Sequence, residues 1–518
     1  NPIPSIDVQL DFFRQMLPGI QLEEINQLAA AWITRENRVV VITGPEKEEA
    51  PLPNEQSVRE LLAKMPNQSI QPYVDRFSDA PLMANIPTPG SISSEKTIAP
   101  LQVTEIQLSN QVRLLLKPTD FQNDEVLMRA YSVGGHSIYS DDLFIQANNA
   151  ASIIDQSGIG TFDLTQLQKK LSGQTVGISP YISEFYEGMV GQAAPKDLES
   201  LFQLIHLYFT APRQDADALK AYVDKEASIY ENLLTDPQYF FYDQLSKIKS
   251  QNHPRRGYPT AEDIRKIDLK SVHKIYRDRF ADASDFTFVF VGNFEDTQIK
   301  ALAKTYLASL PTQDRNDQWK DIGVRFPKGQ IKREFRKGQA QKALVDLTWH
   351  GPFEWNRQNR YDFYSMLAIL RIKMRESMRE DKGGVYGVRV GGSVSQIPQN
   401  SYQINISFNA DPERVEELIQ TAMQDIKKAQ DIGAEEKDLD KVKETQKQQR
   451  IKSLKENGFW LRQLEAYYKN NTDPGGIGLE AYEVLVDSLN ATAIKQAANQ
   501  YFQEDRFIQV VLRPEKDE

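Results

Sequence analysis

The sequence predicts an α+β fold made of a repeated unit, in which a mostly antiparallel sheet is packed with helices. Three observations predict it. A helix-then-strand pattern occurs three times, a strand pattern recurs once at a fixed offset, and prolines at that same offset open amphipathic helices.

In the first pattern an amphipathic helix feeds a short apolar strand. Leu22, Ile25 and Leu28 lead to residues 39–42; Leu269, Val272 and Ile275 lead to 286–291; Ala491, Ile494 and Ala497 lead to 508–512. The strand always begins 14 residues after the middle helix position (25 to 39, 272 to 286, 494 to 508). Helix-period apolar residues followed by a continuous apolar run read as a helix entering a buried strand.

In the second pattern residues 125–134 match 342–351 at an offset of 217, and the same offset carries Pro195 onto Pro412. Each proline follows a strand-like segment (187–193; 402–408) and opens a helix. Asp411 is a natural N-cap, and Pro412 takes the first helical position, where its missing N–H costs no hydrogen bond. Val415, Leu418, Ile419, Ala422, Met423 and Ile426 then form one apolar stripe, as do Leu198, Leu201, Phe202 and Ile205 in the earlier copy.

Three endings and two openings imply the tail of one unit followed by two whole ones. Residues 1–44 are expected to be the C-terminal tail of a preceding homologous domain and 45–96, with Pro51, Pro53, Pro87 and Pro89, a linker. The whole domains are expected at 97–312 and 313–518.

The chain has 518 residues, 40% hydrophobic and 26% charged, the balance of a soluble globular protein. A net charge of −10 argues against nucleic acid or an anionic membrane as the main partner. Cysteine is absent, which excludes disulfides, thiol nucleophiles and cysteinyl zinc sites. No apolar run approaches the ~18 residues of a membrane span, so no membrane insertion is expected. The five histidines, His136, His206, His253, His273 and His350, have no pair spacing, so H-E-x-x-H and H-x-x-E-H are both missing. Each reads as a surface or half-buried polar residue. Tyr239, Phe240, Phe241 and Tyr242 read as core or domain-interface packing.

Residues 108–114 and 194–199, Asp236-Pro237 after a Glu-rich helix, and the strand ending at 289–293 resemble a pitrilysin/insulinase-type (inverzincin) zinc metallopeptidase. Residues 379–386, Arg-Glu-Asp-Lys-Gly-Gly-Val-Tyr, resemble that family's R-x-x-x-x-G-x-Y signature. The similarity runs from residue 20 onward and is to the C-terminal half of two-half, processing-peptidase-like bacterial proteins. It implies two homologous domains of the mitochondrial-processing-peptidase-like fold. It also implies that Ser152 and Gln156 stand where the two metal histidines would be, Asp155 where the general base would be, and Glu226 at the third ligand. Neutral serine and glutamine are poor zinc ligands, so no metal is expected in this chain.

The resemblance implies that Arg379 and Tyr386 reach the substrate backbone, their tips close together and open to a large internal cavity. Zn²⁺ would lie in a partner, the N-terminal peptidase half, on the same polypeptide or another. The expected function is the zinc-free half of a metalloendopeptidase or oligopeptidase, closing the chamber on a peptide substrate and inactive alone. A catalytically dead scaffold or binding subunit is the alternative, and an independent metal enzyme a third. The resembling bacterial proteins are often exported, so a periplasmic, soluble protein is expected.

Overall fold

The computed structural model describes residues 3–34, 36–44, 51–65, 68–69, 80–381, 383, 385, 387–470 and 477–515. They divide into two units, Asn1–Asp75 and Arg76–Glu518. The first forms helices Ile6–Met16, Leu22–Trp32 and Glu55–Lys64. Asn54 starts the last by accepting the Ser57 N–H at 2.8 Å, so part of the expected linker is helical. Residues 39–42, expected as a strand, are neither helix nor strand, and their side chains are exposed. A strand exists through its neighbours' hydrogen bonds, and neither sheet of the described residues includes this run.

The second unit contains β1 Ile92–Ile98, β2 Val103–Leu108, β3 Arg113–Pro118, β4 Val126–Val133, β5 Val176–Ile182, β6 Tyr186–Ala193 and β7 Thr287–Gly292. After these come β8 Gly329–Arg336, β9 Ala343–Pro352, β10 Val388–Ser395, β11 Ser401–Ala410 and β12 Arg506–Arg513. The first seven form one sheet, β1-β2-β3-β7-β4-β6-β5, and the last five another, β10-β11-β9-β12-β8. From β3 onward the two have one order: β3-β7-β4-β6-β5 corresponds to β8-β12-β9-β11-β10. Directions agree as well. β7 runs parallel to β3 and antiparallel to β4, and β12 parallel to β8 and antiparallel to β9. Even register is shared, since Val126 faces Ala193 and Ala343 faces Ala410, each displaced by 217. A slip of one residue would turn every side chain to the other face, so the offset seen in the sequence is an offset of register.

Helices Phe144–Ser157, Leu198–Thr210 and Leu269–Arg279 share the main core of the first sheet. Arg357–Met374, Val415–Ile432 and Ala491–Tyr501 do the same for the second. The opposite faces are covered by exchange. Helix Asn457–Lys469, from the second half of the unit, packs Phe459, Trp460, Leu461 and Leu464 on Leu115, Val289 and Val291 of the first sheet. Helix Pro237–Lys249, from the first half, packs Phe241 and Leu245 on Ile508, Val510 and Leu512 of the second. β7 and β12 are therefore covered on both faces, which is why apolar residues fall on both faces of each (Phe288 to Val291; Phe507, Ile508, Val510, Val511 and Leu512) instead of strictly alternating with polar ones.

Candidate functional site

Helix Phe144–Ser157 carries the positions that the resemblance assigns to a metal motif. Its buried side includes Ala147, Ala150, Ala151, Ile153 and Ile154. Ser152 and Gln156, four apart and thus on one face, are exposed. Asp155 is half-buried and committed to the fold: Tyr208 donates its hydroxyl at 2.5 Å and Ser179 at 3.5 Å. Burial raises the Asp155 pKa, and these two donors hold the rise back.

Helix Ala216–Leu233 packs beside it and brings Glu226 to the same region. The helix contact itself is fastened one turn earlier, where the Tyr222 hydroxyl donates to Asn149 Oδ1 at 2.6 Å. Glu226 is half-buried, with the Lys225 ammonium 3.9 Å away.

The residues at these positions do not fit a zinc ion. Zinc takes anionic or imidazole donors, whereas Ser152 and Gln156 are neutral oxygen or amide groups and Asp155 is already bonded. No group of three His, Cys, Asp or Glu able to hold a metal occurs among the described residues. The histidines have separate partners. His206 Nδ1 lies 3.0 Å from the Tyr306 carbonyl, His253 Nε2 2.8 Å from Ile322 O, and His273 Nε2 3.3 Å from Pro212 O. His136 packs edge-on against Phe144, and His350 stacks on Phe326 at 4.3 Å.

The second candidate position lies at the end of helix Arg357–Met374. There the helix widens into a π-helical stretch, Arg375–Asp381, a feature often found at functional sites. Met374 and Met378 are fully buried and anchor its inner side. Neighbouring polar groups are satisfied: Arg371 Nη2 donates to Val390 O at 2.9 Å, Lys373 pairs with Asp438 at 2.6 Å, and Ser377 donates to Asp425 at 2.5 Å. Arg379 is exposed, and no hydrogen bond or ion pair joins its guanidinium to another described residue. Its carbonyl accepts the Gly383 N–H at 3.1 Å, and Gly383 takes a φ of 57°, which closes the helix in the left-handed region. Tyr386, the other member of the expected pair, lies outside the described residues.

A cleft of about 1240 Å³ opens between helix Pro237–Lys249, the segment 322–329 and the ends of β9, β11 and β12. Lys249, Arg256, Phe326, His350 and Arg506 line it; Arg379 does not. The internal cavity expected beside Arg379 is therefore not this one.

The partner of Asp155 is not legible in the sequence. Tyr208 lies 53 residues away, in a helix whose apolar stripe gave no sign that its one phenol points at a carboxylate.

The peptidase M16 inactive domain matches residues 266–446. A zinc protease PQQL-like protein of Arabidopsis thaliana is 21% identical over 497 residues, covering 92% of this chain and 49% of that protein. The chain spans about half the length of the curated relatives it matches. Among solved structures, the periplasmic protease PqqL of Escherichia coli is similar with a TM-score of 0.75 at 19% identity, over 89% of this chain and 51% of that one. The first half of the same PqqL, solved separately, is also similar, with a TM-score of 0.63 at 13% identity over 82% of this chain and 93% of that one.

Proposed function

We propose that this chain, which carries an M16 peptidase inactive domain and is homologous to the PqqL zinc proteases, is the zinc-free half of a metallopeptidase that closes the proteolytic chamber and contacts the substrate peptide. The observation that supports this best is the fate of the metal positions. Their helix is kept and packed, yet Ser152 and Gln156 face solvent as neutral groups and Asp155 is bonded to Tyr208. The fold is retained where the chemistry of a metal site is not. Zn²⁺, in this reading, belongs to an N-terminal peptidase half, on the same polypeptide or on a second chain.

What remains for this chain is to hold the peptide. Arg379, exposed at a helix end, offers a planar fork of donors, and Tyr386 a phenolic one. Donors aimed at peptide carbonyl oxygens fix the register of the substrate, and beside the scissile bond they stabilise the oxygen that gains charge. The solved PqqL is a periplasmic protease, and we assign this chain to the same compartment. Among the described residues no helix is long and apolar enough to cross a membrane.

The test separates the halves. This chain and the N-terminal half are purified apart and together, and zinc content and peptide cleavage are measured. The expected result is no tightly held zinc on this chain, zinc on the other half, and cleavage only when both are present. Zinc held by this chain alone, or full cleavage without it, would overturn the proposal. Zinc on the other half with no cleavage by the pair would favour the scaffold reading instead.

A further inference from the structure

Helices Leu22–Trp32, Leu269–Arg279 and Ala491–Tyr501 are each 11 residues long and begin at equivalent points of the threefold helix–strand pattern. Their environments differ. Ile25 is 50% exposed, whereas its counterparts Val272 and Ile494 are at 0%. In two of the three copies the following strand is seen in place. β7 lies between β3 and β4, and β12 between β8 and β9; each is parallel to one neighbour, antiparallel to the other and covered on both faces. The first copy has the same apolar run and closes on Thr43-Gly44 much as β7 closes on Val291-Gly292. Yet Val41 is 78% exposed while Val289 is at 0%.

We propose that residues 38–44 are a central strand of a sheet in the N-terminal half. They would enter parallel to that sheet's first strand and antiparallel to its second, with Leu22–Trp32 packed on one face beside them. The proposal rests on the two-half reading above and specifies how the halves are joined. The occupant follows from the length of chain outside this one. Curated relatives are about twice as long, and the first half of PqqL has this same fold. A sheet of that order without its β7 counterpart would leave two rows of backbone N–H and C=O groups unpaired at its centre, a cost the fold must meet with another strand. Three successive valines and an isoleucine suit a strand covered on both faces. In this arrangement the C-terminal half is threaded into the core of the other, so the two are parts of one folding unit, not beads on a linker.

Amide exchange over residues 38–44 is measured in this chain alone and in the full-length or paired protein, with the thermal midpoint of each before and after Val41→Asp. In this chain alone the amides should exchange as in open chain, and Val41→Asp should leave the midpoint unchanged. In the full protein the amides should be protected and Val41→Asp should lower the midpoint. Free exchange of 38–44 in the full protein overturns the proposal, as does a Val41→Asp shift that is equal in both proteins or absent from both. Zinc-dependent cleavage by the unmodified full protein reports the two-half reading separately. Activity with unprotected 38–44 would overturn the strand and leave that reading in place.

Discussion

Tyr208, on helix Leu198–Thr210, donates its hydroxyl to Asp155 on helix Phe144–Ser157 at 2.5 Å. The carboxylate that the resemblance places at a general-base position is thereby a structural acceptor. Burial still raises its pKa above the ordinary 3.8. A carboxyl whose folded pKa exceeds its unfolded one binds its proton more tightly in the fold, so its contribution to stability falls as pH rises through that window. Removing a donor from the ionised form widens the gap. Tyr208→Phe should therefore cost about 1–3 kcal/mol at neutral pH, the range for a buried acceptor left short of a partner. The deficit should shrink as the pH falls towards the carboxyl range. Denaturant midpoints on either side of that range check it, and a deficit independent of pH would contradict the account.

A second buried cluster fastens the start of the second half of the unit to the first. Arg279 pairs with Glu187 at 3.5 Å, Asp278 at 3.0 Å and Asp317 at 2.9 Å, and Glu187 also accepts the Gly135 N–H at 2.6 Å. Burial pushes Glu187 up to about 7 from 4.5, with Arg279 limiting the rise. The folded pKa is the higher one, so stability declines as pH climbs from the lower value to the upper. Glu187→Gln keeps an acceptor for Gly135 and should flatten that decline. Some slope remains, because burial also lifts Asp285 to about 6. Arg279→Met strands the buried Glu187 carboxylate and should cost about 3–5 kcal/mol, less in acid where Glu187 takes a proton. Thermal midpoints across this range distinguish the two variants.

The exchanged helices make a different prediction. Leu464 is fully buried, yet it belongs to the second half of the unit and packs on β7 of the first. Leu464→Ala should cost about 2–5 kcal/mol and Phe241→Ala about 3–5 kcal/mol. Leu464→Ala should weaken amide protection in β7, and Phe241→Ala in β12, each in the sheet remote in sequence. Loss confined to the variant's own half would mean the exchange is not a stabilising one.

The repeat was legible because periodicity and offset are local properties of the chain: the matches of 125–134 to 342–351 and of Pro195 to Pro412 carry strand register directly. The double burial of β7 could be read from Phe288, Val289, Phe290 and Val291 in succession, but not what covers it. Trp460 reads only as an apolar face of its own helix. Residues 39–42 show the limit from the other side. The pattern reads as a strand, but pairing is a property of neighbours, and no strand of the described residues pairs with this run. At the candidate site, the neutral chemistry of Ser152 and Gln156, at positions the resemblance assigns to a metal motif, could be read from the sequence, while the Tyr208–Asp155 bond depends on how two helices are set by the sheet beneath them.

Arg379 tests whether the exposed helix end works on substrate or merely ends a helix. Its guanidinium is joined to no described residue, and Met374 and Met378, not Arg379, anchor the π-helical stretch. Arg379→Ala should therefore leave the thermal midpoint of this chain nearly unchanged, within the ~0.5 kcal/mol typical of surface changes. In the full or paired enzyme the same variant, and Tyr386→Phe, should lower kcat/KM by roughly 10–10³-fold, as expected when a donor acting in the transition state is lost. Arg379→Lys should also be impaired, because an ammonium keeps the charge but not the planar fork. If the loss falls on KM alone, Arg379 holds the peptide equally before and during reaction; if on kcat, its hydrogen bond strengthens as charge develops. Full activity in Arg379→Ala together with a lowered midpoint would make it a brace for the helix end, and the substrate contact would have to come from other residues.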